Sequence, residues 1–597
     1  MVKYITAFLL IPLILEAYDE QLFNADTIQV TATRTPLESQ KNTRMISVID
    51  LTANNSGIGR TVDELLYTNG LIDMQARQMN AQSDLSMRGS SFEQVLVLID
   101  GCPVNNAQTG HHTFHIPLDK DAIERIEIMP GHSSSLYGSS GFGGTIYVIT
   151  KDSLPRVTNA TITIGSFNTI QTGFSTNYRL RKVGIHLSLN KSTSDGFTYD
   201  RDYDNLQGDC LINIKLSRNA SLNTHTGYLK NEYGAFDFYT PGNGYPSWER
   251  IKMFFTYSAL NYQTKKTLLT IKAHYNNTYN TFYLVREEPQ VYENNHRLNT
   301  YGLDAMLGYT LYNNLSLNFY GNLIDESINS SNLGNHRRGR IALGSQLLFH
   351  PDHYGMDLSA RQDLTFTEDH NLSANFGVYY WLSKSIKLRG TVGTAFRLPS
   401  FTELYYSDPI NKGNSSLKSE ESFNSEAGFD YYHANFNASG TLFQRNARFL
   451  IDWIQLGDEW HIGNINEAVF RGIEGEMRQS LMGEFKVHAN LQYTTVSTDE
   501  NYSSKYGLNH ARTVVRVSLD FPVGSLMNAS FILMNKQRKQ TNYSLIDMLF
   551  QKSFSRYFTM EFRVINLLNT HYEDIPGVAQ PGRAFYVDLA FRHFHDK

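Results

Sequence analysis

The chain has 597 residues, of which 41% are hydrophobic and 19% charged, with a formal net charge of −5. That balance leaves no clustered basic footprint for nucleic acid. The longest uninterrupted apolar stretch, Ala7–Leu15, falls far short of the roughly 20 residues a spanning helix needs, so a bundle of membrane helices is excluded. A transmembrane barrel stays open, because its strands need only alternate apolar and polar residues.

At the N-terminus, Lys3 followed by the apolar Ile5–Leu15 reads as a secretory signal over residues 1–17. Cleavage is expected after Ala17, although Leu15 and Glu16 make a poor small-residue site. Residues 26–152 then have mixed character. The segment Asp26-Thr27-Ile28-Gln29-Val30-Thr31-Ala32 is β-prone and suited to adding as a strand to a partner's sheet edge. Val95–Ile99 is apolar at every position, which predicts a strand buried on both faces, ended by a turn at Asp100-Gly101. Cys102 and Cys210 show no CxxC or Cys/His spacing, so neither a thiolate metal site nor a disulfide is inferred.

From 154 to 594 the texture changes to short alternating strands separated by polar turns. Val183, Ile185, Leu187 and Leu189 interleave with Gly184, His186 and Ser188, and Val515, Val517, Leu519 and Phe521 with Arg516, Ser518 and Asp520. Leu315, Leu317 and Phe319 behave alike, and Phe585, Val587, Leu589 and Phe591 form one face of the last strand. A period of two with one apolar face fits a sheet between two solvents. A soluble sandwich also alternates, but roughly 440 residues without a linker exceed one such core. A closed barrel removes the sheet edges. At about 20 residues per strand and connection the region holds roughly 22 strands, a size at which a barrel's lumen is plugged. The 36 Tyr and 35 Phe then form interfacial girdles.

Several motifs in order resemble the TonB-dependent outer-membrane receptor family. They are Leu85-Ser86-Met87-Arg88-Gly89, Gln94–Gly101, Ile123–Ile128 with Gly131, Leu136-Tyr137-Gly138, and Gly143-Gly144-Thr145-Ile146 with Ile149-Thr150. In the second part stand Phe396–Tyr405, Gly413-Asn414, Phe443 with Arg445, Gly472-Ile473-Glu474-Gly475, Val564–Asn569 and Pro581-Gly582-Arg583. His132, Phe142 and Tyr147 depart from the residues common in the family. The resemblance implies an all-β transmembrane barrel of about 22 antiparallel strands at 154–594, with an α+β plug at 33–152 in its lumen. It implies a TonB box at 26–32, pulled by the TonB-ExbB-ExbD energy-coupling complex, and outer-membrane lipids around the wall. Arg88, Glu124, Arg125 and Glu127 take the place of residues that form buried ionic contacts between plug and wall.

Within the family the chain looks most like the cobalamin receptors, with no signalling domain ahead of the box. That likeness places ligand contacts on two plug loops, Gln78, Asn80 and Gln82 in one, and Asn105, Gln108, His111 and His112 in the other. Neutral amides suit a corrinoid bordered by amides. Asp195, Asp200, Asp202 and Asp204 form an acidic loop that would order around Ca²⁺, as in the cobalamin receptors, although it lacks EF-hand spacing; no cofactor is otherwise required. A surface lipoprotein is a further candidate partner. Ferric-siderophore and haem receptors share the fold, though no histidine lies between Arg397 and Leu417, where haem receptors carry one. A passive porin and a binding-only adhesin are the remaining alternatives. No nucleophile–base pair, HExxH, P-loop or dinucleotide fingerprint points to an enzyme.

Overall fold

The computed structural model describes residues 29–51, 61–69, 71–78, 80–366, 370–481, 484–498, 504–505 and 509–595. The signal segment and Asp26, Thr27 and Ile28 lie outside the described residues.

The alternating region closes into a barrel of 22 antiparallel strands, from Val157–Gly165 to Ala584–Phe594, which pair with each other to seal the ring. A two-residue strand, Asn411–Lys412, lies in a loop and pairs in parallel with Trp460 and His461. The apolar sets face outward: Leu343 is 70% and Leu372 68% exposed, an exposure only a hydrocarbon surrounding makes favourable. The opposite faces carry the buried polar residues, among them His186, Asp209 and Asp588. One end of the barrel has tight connections such as 181–182, 313–314 and 434–435; the other carries long ones, 235–247, 398–419 and 566–583. Short periplasmic turns and long extracellular loops orient the barrel.

The plug fills the lumen. Its five-stranded mixed sheet has the order Ser47–Asp50, Ile123–Pro130, Gly144–Thr150, Val95–Ile99, Cys102–Pro103. Every residue of Val95–Ile99 is buried, and Asp100 and Gly101 turn with positive φ, 48° and 83°. Val97, Ile99, Ile126, Ile128, Ile146 and Val148 make one core with the helix Val62–Asn69 and, from the wall, Phe255 and Tyr257. Cys102 and Cys210 are both free thiols.

Candidate functional site

The hairpin Asp73–Gln78/Gln82–Ser86 forms the outer end of the plug. Asn80 turns it with φ 65°, a left-handed conformation that a short polar side chain tolerates. The Gln78 amide donates to the carbonyl of Arg201 at 2.7 Å, and Asn80 to the Glu64 carboxylate at 3.1 Å. Gln82 accepts from the Tyr239 hydroxyl at 2.8 Å, and the same hydroxyl reaches Glu249 at 2.7 Å. From the wall, Asn205 and Asn231 donate to the carbonyls of Asn80 and Ala81. Gln108 and Asn280 meet at 3.4 Å. The structure thus brings Gln78, Gln82 and Gln108 into one buried layer with wall amides. Five amide atoms of that layer have no hydrogen-bond partner: Gln78 Oε1, Gln82 Nε2, Gln108 Oε1, Asn205 Oδ1 and Asn231 Oδ1. Asn105 does otherwise. Its amide bonds the backbone of Val97 and Val95, both at 2.8 Å, and so serves the plug sheet.

His111 sits beside this layer. Its Nδ1 is 2.8 Å from Asp84, and its ring stacks on Phe92 at 4.0 Å between centroids. Arg77 is bonded to the other oxygen of Asp84. Burial raises the Asp84 carboxyl, but Arg77 and His111 outweigh it and hold it at about 2. His112 and His115 are buried deeper, and burial pushes them down to about 3 and about 4, so both are neutral at physiological pH.

The acidic loop is corrected by the structure. Asp200 and Asp202 share the Arg286 guanidinium, at 2.8 and 2.5 Å. Asp204 pairs with Lys191, and Asp195 accepts from Asn168. Alternation along the strand that begins at Tyr203 sends Asp204 to the outer face, away from the loop. Among the described residues no group of three or more acidic, His or Cys side chains is arranged to hold a metal.

At mid-depth Arg88 bridges plug and wall, 2.8 Å from Glu426 and 2.8 Å from Glu474. All three are buried, the arrangement in which charges are tolerated in a lumen. Glu124, Arg125 and Glu127 differ from expectation. Arg125 bonds Glu124 and Glu127 within the plug. Glu127 instead holds the end of the 26–32 segment: the N–H groups of Thr31 and Ala32 donate to its carboxylate at 2.7 and 2.6 Å. Just beyond, Arg34 places both terminal nitrogens on Asp304 of the wall, at 3.3 and 3.1 Å.

One buried network was not legible in the sequence. Asp73 of the plug hairpin and Asp574 of loop 566–583 share Lys536 and Arg538, at 2.6 to 3.5 Å. Gln580 of the same loop donates to the carbonyl of Ala76 at 2.7 Å. Asp73 lies 465 residues from Arg538 in the chain, and the motifs Val564–Asn569 and Pro581-Gly582-Arg583 at the ends of the loop gave no sign of this pairing.

Known proteins share this architecture. A family profile described as "TonB dependent receptor-like, beta-barrel" matches residues 133–567, and a "TonB-dependent Receptor Plug Domain" profile matches 38–145. A vitamin B12 transporter of Vibrio vulnificus is 24% identical over 95% of both chains, and one of Photobacterium profundum 25% identical over 79% of this chain and 80% of its own length. A hemin receptor of Yersinia pestis is 36% identical over 22% of this chain and 19% of its own length. Among solved structures, the siderophore receptor PirA of Pseudomonas aeruginosa superposes with a TM-score of 0.74 at 18% identity, covering 92% of this chain and 99% of that one. The ferric enterobactin receptor PfeA of the same organism gives 0.78 at 15% identity, covering 95% and 100%. Barrel, plug and both profiles agree: the chain belongs to the TonB-dependent receptors, the energised transporters of the outer membrane.

Proposed function

We propose that the chain imports cobalamin or a related corrinoid, drawing energy through the TonB-ExbB-ExbD complex coupled to the 26–32 box. The observation that carries this reading is the layer of amides at the outer end of the plug, with the unpartnered atoms of Gln78, Gln82, Gln108, Asn205 and Asn231. A buried amide atom without a partner costs about 1–3 kcal/mol. A cargo edged with its own amides supplies both donors and acceptors, and binding recovers that cost. The full-length likeness to vitamin B12 transporters points the same way. In this reading cargo docks beneath loops 235–247 and 398–419 and displaces wall amides from the hairpin. The strain passes down the plug to Glu127 and Arg34, which release the box to TonB. The plug corresponds to 33–152 and the barrel to 154–594. A surface lipoprotein closing over the long loops fits the same scheme.

A second cargo, haem, is favoured by one feature. His111 is oriented by Asp84 and stacked on Phe92, and a carboxylate-held imidazole is a good metal ligand. Equilibrium binding of cyanocobalamin, haem and a ferric siderophore to the purified receptor, each with and without calcium, separates the readings. Cyanocobalamin is expected to bind, with Gln82→Ala and Gln108→Ala each weakening it about 5–10-fold. Tight binding of haem alone, abolished by His111→Ala, overturns the corrinoid reading in favour of haem.

A further inference from the structure

Several of the carboxylates buried in this lumen meet a fixed cation. Glu420 is paired with Arg397, Glu426 and Glu474 share Arg88, Asp84 holds Arg77, and Asp304 holds Arg34. Taking a carboxylate out of water is costly, and a partner of opposite charge offsets much of that cost. Glu249 is different. It is the second residue of strand Trp248–Gln263, at the extracellular end, and is 2% exposed. The groups that reach it are neutral. The hydroxyls of Tyr233 and Tyr239 both donate to Oε2 at 2.7 Å, and the Asn280 amide donates to Oε1 at 2.7 Å. His112 Nε2 stands 3.5 Å from Oε1, and burial keeps that ring uncharged. Arg77 lies over the Tyr239 ring at 5.4 Å, but it is committed to Asp84. Among the described residues no Lys or Arg pairs with Glu249.

Glu249 also stands within the amide layer. Tyr239 joins it to Gln82, and Asn280 joins it to Gln108. Nε2 of Gln82, Oε1 of Gln108 and Nδ1 of His112 have no hydrogen-bond partner. Neutral donors satisfy the lone pairs of the carboxylate but leave its net charge uncancelled. Tyr239 belongs to loop 235–247, so cargo that lifts this loop from the plug removes one of those donors.

We propose, resting on the corrinoid reading of the cargo, that Glu249 selects by charge and favours a positively charged corrinoid over a neutral one. A cation seated in this layer meets a carboxylate with no other countercharge, in surroundings that screen the attraction weakly. A neutral cargo of the same shape gains the amide contacts alone. The amides thus read the polar edge of the cargo, and Glu249 reads its charge. Were Glu249 only a bracket for Tyr239 and Asn280, the charge of the cargo would make no difference.

The test compares aquocobalamin with cyanocobalamin on the full-length receptor. The two differ only in the ligand on cobalt. At a pH where the cobalt-bound water keeps both protons, aquocobalamin carries one additional positive charge. Equilibrium binding to the native receptor is expected to favour aquocobalamin about tenfold. Glu249→Gln should bind the two alike, because the amide keeps the size and loses the charge. Gln82→Ala, which removes a neutral neighbour, should weaken both and keep their ratio. The absorption spectrum of bound aquocobalamin reports whether water remains on cobalt or an imidazole such as that of His111 has replaced it. Equal affinities in the native receptor, a preference that survives Glu249→Gln, a ratio lost equally in Gln82→Ala, or an imidazole-bound spectrum overturns the selection by charge and leaves the corrinoid reading standing. Binding of neither compound overturns both.

Discussion

A histidine buried away from water resists protonation, and His115 illustrates the consequence. Burial holds it at about 4, with His112 adding to the effect and Glu249 opposing it. An unfolded histidine takes its proton near pH 6.5. Between those values the unfolded chain binds more protons, so the stability this residue contributes is present above about pH 6.5 and fades as pH falls towards 4. Relative to pH 7, the loss at pH 5 is on the order of 1–2 kcal/mol. Comparing His115→Asn with the native receptor by urea unfolding at both pH values isolates it from other titrating groups. The native advantage is expected to shrink by that amount at pH 5, and a difference unchanged with pH contradicts the assignment. Residue types were readable here, surroundings less so. Arg88 stood in a motif, but Glu426 and Glu474 became its partners only through barrel closure. Asn105 looked like a ligand contact and proved to bond the sheet, because an amide one turn beyond a strand can reach that strand's backbone.

Elements were more legible than contacts. Alternation in Val183–Leu189, Leu315–Phe319 and Val515–Phe521 gave strands with the apolar side correctly outward, since a period of two survives without knowledge of neighbours. Loops were not readable in the same way. The four aspartates of 195–204 suggested one cation site, yet Arg286 from the loop 284–292 and Lys191 from a neighbouring strand take three of them. The inner clasp also escaped the sequence. Glu127 belongs to a strand whose register to Thr31 and Ala32 depends on the folded plug. Hydrogen bonds to a charged acceptor contribute about 1.5–3 kcal/mol each. Glu127→Ala should therefore release the segment at Thr31 and Ala32 by at least about 2 kcal/mol, roughly a 30-fold rise in the free form. A nitroxide on Gln29→Cys, with Cys210→Ser, reports it as a narrowed spectrum. An unchanged line shape means that Glu127 does not hold this segment.

At the scale of the molecule, two structures with different tasks share one chain. The barrel is a passive wall, sealed by the pairing of its first and last strands. The plug runs from the outer amide layer to Glu127 through one packed sheet, tied to the wall by Arg34, Arg88 and the Asp73–Lys536–Asp574 network. Order and spacing of motifs made this division visible in the sequence, whereas the clasp of Glu127 on Thr31 and Ala32 required the fold. Energised import predicts that binding and uptake separate when the connection to TonB is cut. Deleting Asp26–Ala32 and measuring both labelled cyanocobalamin binding and its uptake into cells is the most direct test. Binding retained with uptake lost is the expected result, and uptake persisting at the native rate would contradict the account.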